Sequence, residues 1–188
     1  MDPLQERLAS PHAETLRDPA KPASDSLLTR FNARLARLAM IAAVVGLWVI
    51  VGLVSWQVFG RYVLNDTPTW AESLTLVLIL YVALMGAAVG VRDAGHIGME
   101  SLLVLVSERV RRVLEMVIFV LVGTFGAMML VYGWGLTSGV IAYKIPTLGI
   151  SEGWHYAPLM VSGALIALFC IEHLVALVKR REVVPSWH

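Results

Sequence analysis

Four long segments without Asp, Glu, Lys or Arg constrain the fold of this chain more than any other feature. They cover residues 38–60, 73–91, 116–143 and 153–171. A helix needs about 20 apolar residues to cross the roughly 30 Å hydrocarbon core of a bilayer, and each segment is close to or above that length. Because backbone polar groups must be bonded internally within lipid, such segments form helices. The sequence therefore predicts an all-α integral membrane protein with four transmembrane helices.

Composition agrees with this prediction. Hydrophobic residues make up 57% of the 188-residue chain and charged residues only 15%, whereas soluble domains carry about 25% charged residues. The formal net charge of +1 gives no reason to expect nucleic-acid binding. A single cysteine, Cys170, excludes an intrachain disulfide.

The flanking sequences define the expected domain organisation. Residues 29–181 form the membrane domain, and the spans are expected at residues 38–61, 70–91, 113–140 and 154–178. Residues 1–28 are polar and lack the apolar region of a signal peptide, so we expect a disordered tail there. Residues 182–188 form a second tail. Between spans two and three, apolar positions recur among polar ones over residues 98–113, which predicts an amphipathic helix in the cytoplasmic membrane interface.

Basic residues indicate the orientation. Thirteen of the 15 Lys and Arg residues lie before span one, between spans two and three, or after span four, and the other side has only Arg61 and Lys144. Because cytoplasmic loops are enriched in Lys and Arg, both termini are predicted to be cytoplasmic. Eight of the 11 Trp and Tyr residues fall near the outer interface. They can form an anchoring belt, or some can meet a protein partner outside the membrane.

Few polar residues in or near the spans are candidates for function. Arg61 and Glu72 flank the first outer loop, between spans one and two, where Arg61 can bind lipid phosphate or pair with Asp66 or Glu72. Glu172, near the inner end of span four, can snorkel to the interface, pair with an Arg of a partner, or join helices as a structural carboxylate.

Two further patterns concern contacts of the helices. Gly86 and Gly90 form a Gly-x-x-x-Gly pattern in span two, which permits a close helix contact. Three arginines before span one, at positions 30, 34 and 37, share one helical face and are expected to contact anionic lipid headgroups.

An enzymatic or redox function receives little support from the sequence. A membrane haem needs two axial histidines at one depth, but His155 and His173 lie 18 residues apart, about 27 Å along a helix. His96 and His173 remain as a pair on the cytoplasmic side, so a haem or redox membrane four-helix protein stays as the alternative function. Neither a catalytic site nor a cofactor is expected. A zinc site is not expected either, because the chain supplies too few ligands.

Three motifs in a fixed order point to a known family. Arg61 ends span one and Trp70-Ala71-Glu72 opens span two. A glycine-rich end of span two precedes Arg92, Gly95-His96-Ile97 and Glu100. The outer loop from Pro146 to Trp154 is followed by Pro158. Over residues 35–180, the chain resembles the small membrane subunit (DctQ-like) of tripartite ATP-independent periplasmic (TRAP) transporters. Ser73 departs from the family, which often has a second Glu there.

The resemblance implies a non-catalytic subunit of a secondary-active transporter in the bacterial inner membrane. Such systems import organic acids, usually with a sodium gradient, through a large multi-span membrane subunit and a periplasmic substrate-binding protein. The small subunit is expected to brace the large one, which we expect to be a separate polypeptide because His188 closely follows span four.

Site residues are expected in two groups. We expect the binding protein to dock on outer residues Asp66, Trp70, Lys144, Glu152 and Trp154. We expect structural or subunit-interface roles for Arg61, Glu72, Gly86, Gly90, Arg92, His96 and Glu172.

Overall fold

The computed structural model describes residues 27–93 and 108–178, which form four α-helices. These are α1 (Leu27–Tyr62), α2 (Thr69–Asp93), α3 (Glu108–Val140) and α4 (Gly153–Val178). Each helix contains a stretch that is long and apolar enough to cross a membrane. Within the described ranges the only β-structure is an isolated bridge between Lys144 and Ser151. The predicted all-α fold with four spanning helices is confirmed.

Two helices continue beyond the apolar segments that predicted them. With 36 residues, α1 is about 54 Å long, well beyond the roughly 30 Å of a bilayer core. It starts at Leu27 rather than at the first apolar segment, because Arg, Ala and Leu are good helix formers and no proline interrupts them. α3 starts at Glu108 and so includes the end of the predicted interfacial helix at 98–113; the part of that prediction before residue 108 lies outside the described residues.

The four helices form a layer with α4 inside it. α3 packs along α4, α1 packs along α2, and α2 packs against α4, whereas α1 touches α4 only over a small area. In the most apolar part of α4, 44% of the residues are buried, against 6% in α1. The order across the layer is therefore α1, α2, α4, α3. Both outer helices expose broad apolar surfaces, as expected for a protein surrounded by lipid or by other membrane helices.

Glycines allow the backbones of α3 and α4 to touch. A Cβ atom on Gly163 would lie 2.6 Å from the nitrogen of Leu130 and 2.7 Å from the oxygen of Gly126. A Cβ atom on Gly133 would lie 2.8 Å from the nitrogen of Met160. Any larger side chain at these positions would force the two backbones apart. Small residues are what close helix packing in membranes requires, since van der Waals contact drives much of it.

The predicted Gly-x-x-x-Gly pattern of α2 has a different environment. A Cβ atom on Gly86 or Gly90 would meet nothing within 4 Å. Neither glycine therefore mediates contact between helices of the described chain. The close approach of α1 to α2 occurs instead at Gly46, where an added Cβ would lie 2.7 Å from Val82. The small-residue surface at Gly86 and Gly90 is left open.

Candidate functional site

Five polar residues are buried together at one end of the layer. They come from the start of α1 (Asn32), the last turn of α2 (Arg92 and Asp93) and the last turns of α4 (Glu172 and His173). We call this end, where α1 begins and α4 ends, the terminal end, and the opposite end the loop end. All five side chains belong to residues that are at most 4% exposed. This polar cluster lies just beyond the uncharged segments of α2 and α4.

The centre of the polar cluster is an ion pair between α2 and α4. Arg92 Nε donates to Glu172 Oε2 at 3.2 Å, and Arg92 Nη2 donates to Glu172 Oε1 at 3.4 Å. Arg92 Nη1 also donates to Asp93 Oδ1 at 3.1 Å. The planar guanidinium matches the two oxygens of a carboxylate, which makes this two-point geometry the strong form of such a pair. The buried positive charge of Arg92 is thereby compensated.

Asn32 connects α1 to this ion pair. Its Nδ2 atom donates to Glu172 Oε2 at 3.0 Å and to the backbone oxygen of Leu168 at 3.4 Å. Both acceptors belong to α4, so the amide fixes the start of α1 against that helix. The other polar atom, Asn32 Oδ1, is buried without a hydrogen-bond partner among the described residues.

His173 and two phenylalanines complete the surroundings of the pair. His173 Nε2 lies 3.0 Å from the backbone oxygen of Arg92; because a carbonyl only accepts, this nitrogen carries the proton. The His173 ring stacks on Phe119 of α3 with centroids 4.4 Å apart. The Phe169 ring lies 6.0 Å from the guanidinium carbon of Arg92, within the range of a cation–π contact. All four helices therefore contribute to the packing of the polar cluster.

The chemistry available to the polar cluster is structural. Its charged groups bind one another, and His173 uses Nε2 to bind the backbone. Among the described residues, no group of three or more His, Cys, Asp and Glu side chains is placed to hold a metal ion. Breaking such a buried pair leaves an uncompensated charge, which costs far more than an exposed pair is worth. The arrangement can therefore hold the ends of α1, α2 and α4 in one geometry, with α3 packed against them through Phe119.

Sequence reasoning found part of this cluster. Arg92 and Glu172 were predicted as structural or interface residues, but pairing within the chain was only one of the alternatives for Glu172. No role was predicted for Asp93 or Asn32, and His173 was considered only as a possible haem ligand together with His96. The sequence does contain a sign of this cluster. Arg92–Asp93 and Glu172–His173 each directly follow an uncharged segment, and both segments are predicted to end on the same side of the membrane. His96 lies outside the described residues.

At the loop end, the residues predicted to dock a partner are accessible. Four of them are exposed and Glu152 is half-buried; the exposed ones are Asp66, Trp70, Lys144 and Trp154. Arg61 and Glu72 are exposed as well. Within the described part of the chain, Arg61 forms no ion pair with Asp66 or Glu72.

The loop between α3 and α4 has a fixed conformation. We call residues 143–152 the outer hairpin. Its backbone closes through Ile145 N to Ile150 O at 2.9 Å and Glu152 N to Tyr143 O at 2.8 Å. Ser151 Oγ donates to Ile141 O at 2.7 Å and accepts from Gly153 N at 3.2 Å, which caps the start of α4. These hydrogen bonds define the conformation of the outer hairpin, one of the two loops at the loop end.

Comparison with known proteins identifies the family. Residues 50–180 match the family model described as "Tripartite ATP-independent periplasmic transporters, DctQ component". The chain belongs to this family. Sequence reasoning had reached the same family from its motifs, and that resemblance is confirmed.

Relatives in three bacteria carry transporter names. The chain is 30% identical over 132 residues to the sialic acid TRAP transporter small permease protein SiaQ of Vibrio cholerae, covering 69% of this chain and 75% of that protein. It is 31% identical over 129 residues to the C4-dicarboxylate TRAP transporter small permease protein DctQ of Pseudomonas aeruginosa, covering 65% of this chain and 61% of that protein. It is 31% identical over 119 residues to the sialic acid TRAP transporter permease protein SiaT of Haemophilus influenzae, covering 62% of this chain and 19% of that protein.

Membership in the DctQ family defines the class of function. The chain is a non-catalytic subunit of a transporter and a multi-pass protein of the bacterial inner membrane. The prediction that it is not an enzyme is confirmed, because the family is not enzymatic. The family also favours transport over the haem or redox alternative.

Removing Arg92 tests whether the polar cluster stabilises the subunit. We expect Arg92→Met to lower the free energy of unfolding by about 3–5 kcal/mol, because Glu172 would remain buried without its cation. Adding Glu172→Gln to that variant should recover part of the loss. The measurement is unfolding of the purified subunit in detergent micelles.

A matched control uses the partly exposed ion pair of α3. Arg111 Nε and Glu115 Oε1 are 2.9 Å apart, with the Arg111 side chain 41% exposed. Glu115→Gln should cost less than about 1 kcal/mol. Equal losses for Arg92→Met and Glu115→Gln would contradict the structural role of the polar cluster.

Proposed function

We propose that this chain is the fixed small membrane subunit that supports the large multi-span subunit of a TRAP transporter and helps to receive its periplasmic substrate-binding protein. The observation that carries the proposal is the buried polar cluster. It ties all four helices at one end and pairs its charges internally, which suits a support rather than a carrier. A carrier instead places ionisable groups along a pathway.

The proposed orientation places the terminal end in the cytoplasm and the loop end in the periplasm. The distribution of Lys and Arg supports it. Arg34 is exposed near the start of α1, where it would meet the headgroups of anionic lipids. Nucleic acid has no place in this proposal.

We further propose that the transporter imports an organic acid. Two relatives are named for sialic acid and for C4-dicarboxylates, and both kinds of compound carry carboxylates. The proposed driving force, a sodium gradient, is carried over from the family resemblance. Uptake that is unaffected when the sodium gradient is collapsed would contradict it.

The open glycine surface of α2 is the proposed contact with the large subunit. Within the part of the chain that the structure describes, a Cβ atom on Gly86 or Gly90 would meet nothing within 4 Å, and small residues permit close packing of a membrane helix. Arg61 and Glu72 flank the first loop at the other end of α2 and are proposed as additional interface or structural residues. His96 is proposed to hold the cytoplasmic loop; unchanged assembly and stability in His96→Ala would contradict that role.

Two glycine substitutions separate assembly from folding. Gly86→Leu should leave the thermal stability of the isolated subunit unchanged but prevent co-purification of the large subunit, because the new side chain fills the contact surface. Gly163→Leu is the matched comparison, and it should destabilise the isolated subunit by about 1–3 kcal/mol through overpacking against α3. Full co-purification with Gly86→Leu would show that this surface is not the interface.

Docking of the soluble protein is proposed at the loop end. Asp66, Trp70 and Trp154 are exposed there. Aromatic side chains are enriched in protein interfaces, and complementary charges favour the correct pairing of two proteins. The outer hairpin supplies Lys144 and Glu152 on a rigid backbone. A prearranged surface loses less conformational entropy on binding than a flexible loop does.

Charge reversal at three positions tests docking. Asp66→Lys, Lys144→Glu and Glu152→Lys should each weaken binding of the soluble protein to the complete membrane complex by about three- to tenfold, corresponding to about 1 kcal/mol. Arg112→Glu, on an exposed position of α3 near the terminal end, is the control and should leave binding unchanged. Unaltered binding and transport in all three loop-end variants would contradict docking at this surface.

A further inference from the structure

A cleft lies at the loop end between α2 and the outer hairpin. Its volume is about 220 Å³. Ser73 and Leu76 of α2 line one side, and Lys144, Ile145 and Pro146 of the outer hairpin line the other. Glu152, the last residue of the outer hairpin, and His155, in the first turn of α4, complete it. Most of the lining therefore comes from residues outside the apolar segments, at the end of the layer that the proposed orientation places in the periplasm.

The walls of the cleft are held in place by two contacts. Thr147 Oγ1 and Ser73 Oγ are 2.6 Å apart, which fastens the outer hairpin to α2. The Tyr81 hydroxyl donates to the backbone oxygen of Trp154 at 3.0 Å, which fastens α2 to the start of α4. Together with the backbone bonds of the outer hairpin, these contacts form the cleft before any partner binds. A preformed pocket avoids part of the entropic cost of association.

Two opposite charges line this cleft without neutralising each other. Neither Lys144 nor Glu152 forms an ion pair within the described residues. Beside them, Leu76, Ile145 and Pro146 supply apolar surface. An apolar pocket beside charged groups is the usual setting for an anchoring side chain of a binding partner. A positive and a negative charge at separate positions also define the orientation in which a charged partner binds, which a single charge does not.

We propose that the cleft receives an apolar side chain of the soluble substrate-binding protein, flanked on that protein by one acidic and one basic residue. The acidic residue pairs with Lys144 and the basic residue pairs with Glu152. The apolar side chain lies against Leu76, Ile145 and Pro146. This inference rests on the proposed docking function and adds that the cleft sets the register of the complex, because complementary charge pairs exclude the reversed orientation.

Exchanging the two charges is the most direct test. Lys144→Glu and Glu152→Lys should each weaken binding to the complete membrane complex by about fivefold. The double variant Lys144→Glu/Glu152→Lys keeps the net charge of the wild type, yet it should bind at least tenfold more weakly, because both pairs become like-charged. If only the overall charge of the surface mattered, the double variant would regain wild-type affinity, and that result would overturn the proposal.

Filling the cleft gives an independent readout. Leu76→Trp should reduce binding by at least about tenfold by occupying the space of the anchoring side chain. Ile79→Trp is the matched control: Ile79 is exposed on the same helix and is not part of the lining, so it should bind normally. Thermal unfolding of both variants checks that they fold. Normal binding by a folded Leu76→Trp variant would overturn the proposal.

Two further outcomes identify what failed. If Asp66→Lys weakens binding while all cleft variants bind normally, docking at the loop end stands and the cleft proposal is wrong. If the wild-type complex does not bind the soluble protein, the docking function itself is wrong.

Vesicles with and without phosphatidylethanolamine test whether a lipid occupies the cleft. If the lipid stabilises the wild type but not Leu76→Trp, and protein binding is unaffected, the cleft holds a lipid headgroup and the proposal is overturned.

Discussion

The buried ion pair between Arg92 and Glu172 is the interaction on which the geometry of this subunit depends. Membrane helices have no hydrophobic drive to associate with each other, because lipid is as apolar as their side chains. A buried charge pair with well-oriented hydrogen bonds fixes the relative orientation of two helices, which contact between apolar surfaces does not. Asn32 extends the pair to α1, and the stacking of His173 on Phe119 extends it to α3. The ion pair and these two contacts thus connect all four helices at the terminal end.

The remaining architecture follows from this fixed end. The apolar part of α4 is more buried than that of any other described helix, because α4 packs between α2 and α3. It carries Glu172 and His173 and provides Gly163 for the close contact with α3. At the loop end, the hydrogen bond between Thr147 and Ser73 fastens the outer hairpin to α2. The subunit is therefore held at both ends while its outer helices keep large apolar surfaces. Those properties suit the proposed role of a support for the large membrane subunit.

The sequence predicted the spans well and the contacts between them poorly. Uncharged segments near 20 residues in length have few alternatives to spanning helices, so the fold class followed directly. Helix contacts depend on which faces meet, and one sequence does not specify that. The Gly-x-x-x-Gly spacing of Gly86 and Gly90 predicts a close contact on one helix, whereas the structure brings together Gly126 and Gly163, which lie on different helices. The pairing of Arg92 with Glu172 likewise joins residues 80 positions apart.

Reconstituted transport tests the central claim most directly, namely that the chain is a support without a transport site of its own. Uptake of a radiolabelled organic acid would be measured in vesicles that contain this chain alone, the large subunit alone, or both, each with the soluble binding protein outside. The account predicts uptake only when both membrane subunits are present, and no uptake by this chain alone. Uptake by vesicles that contain only this chain would contradict the account, because it would require a pathway through these four helices.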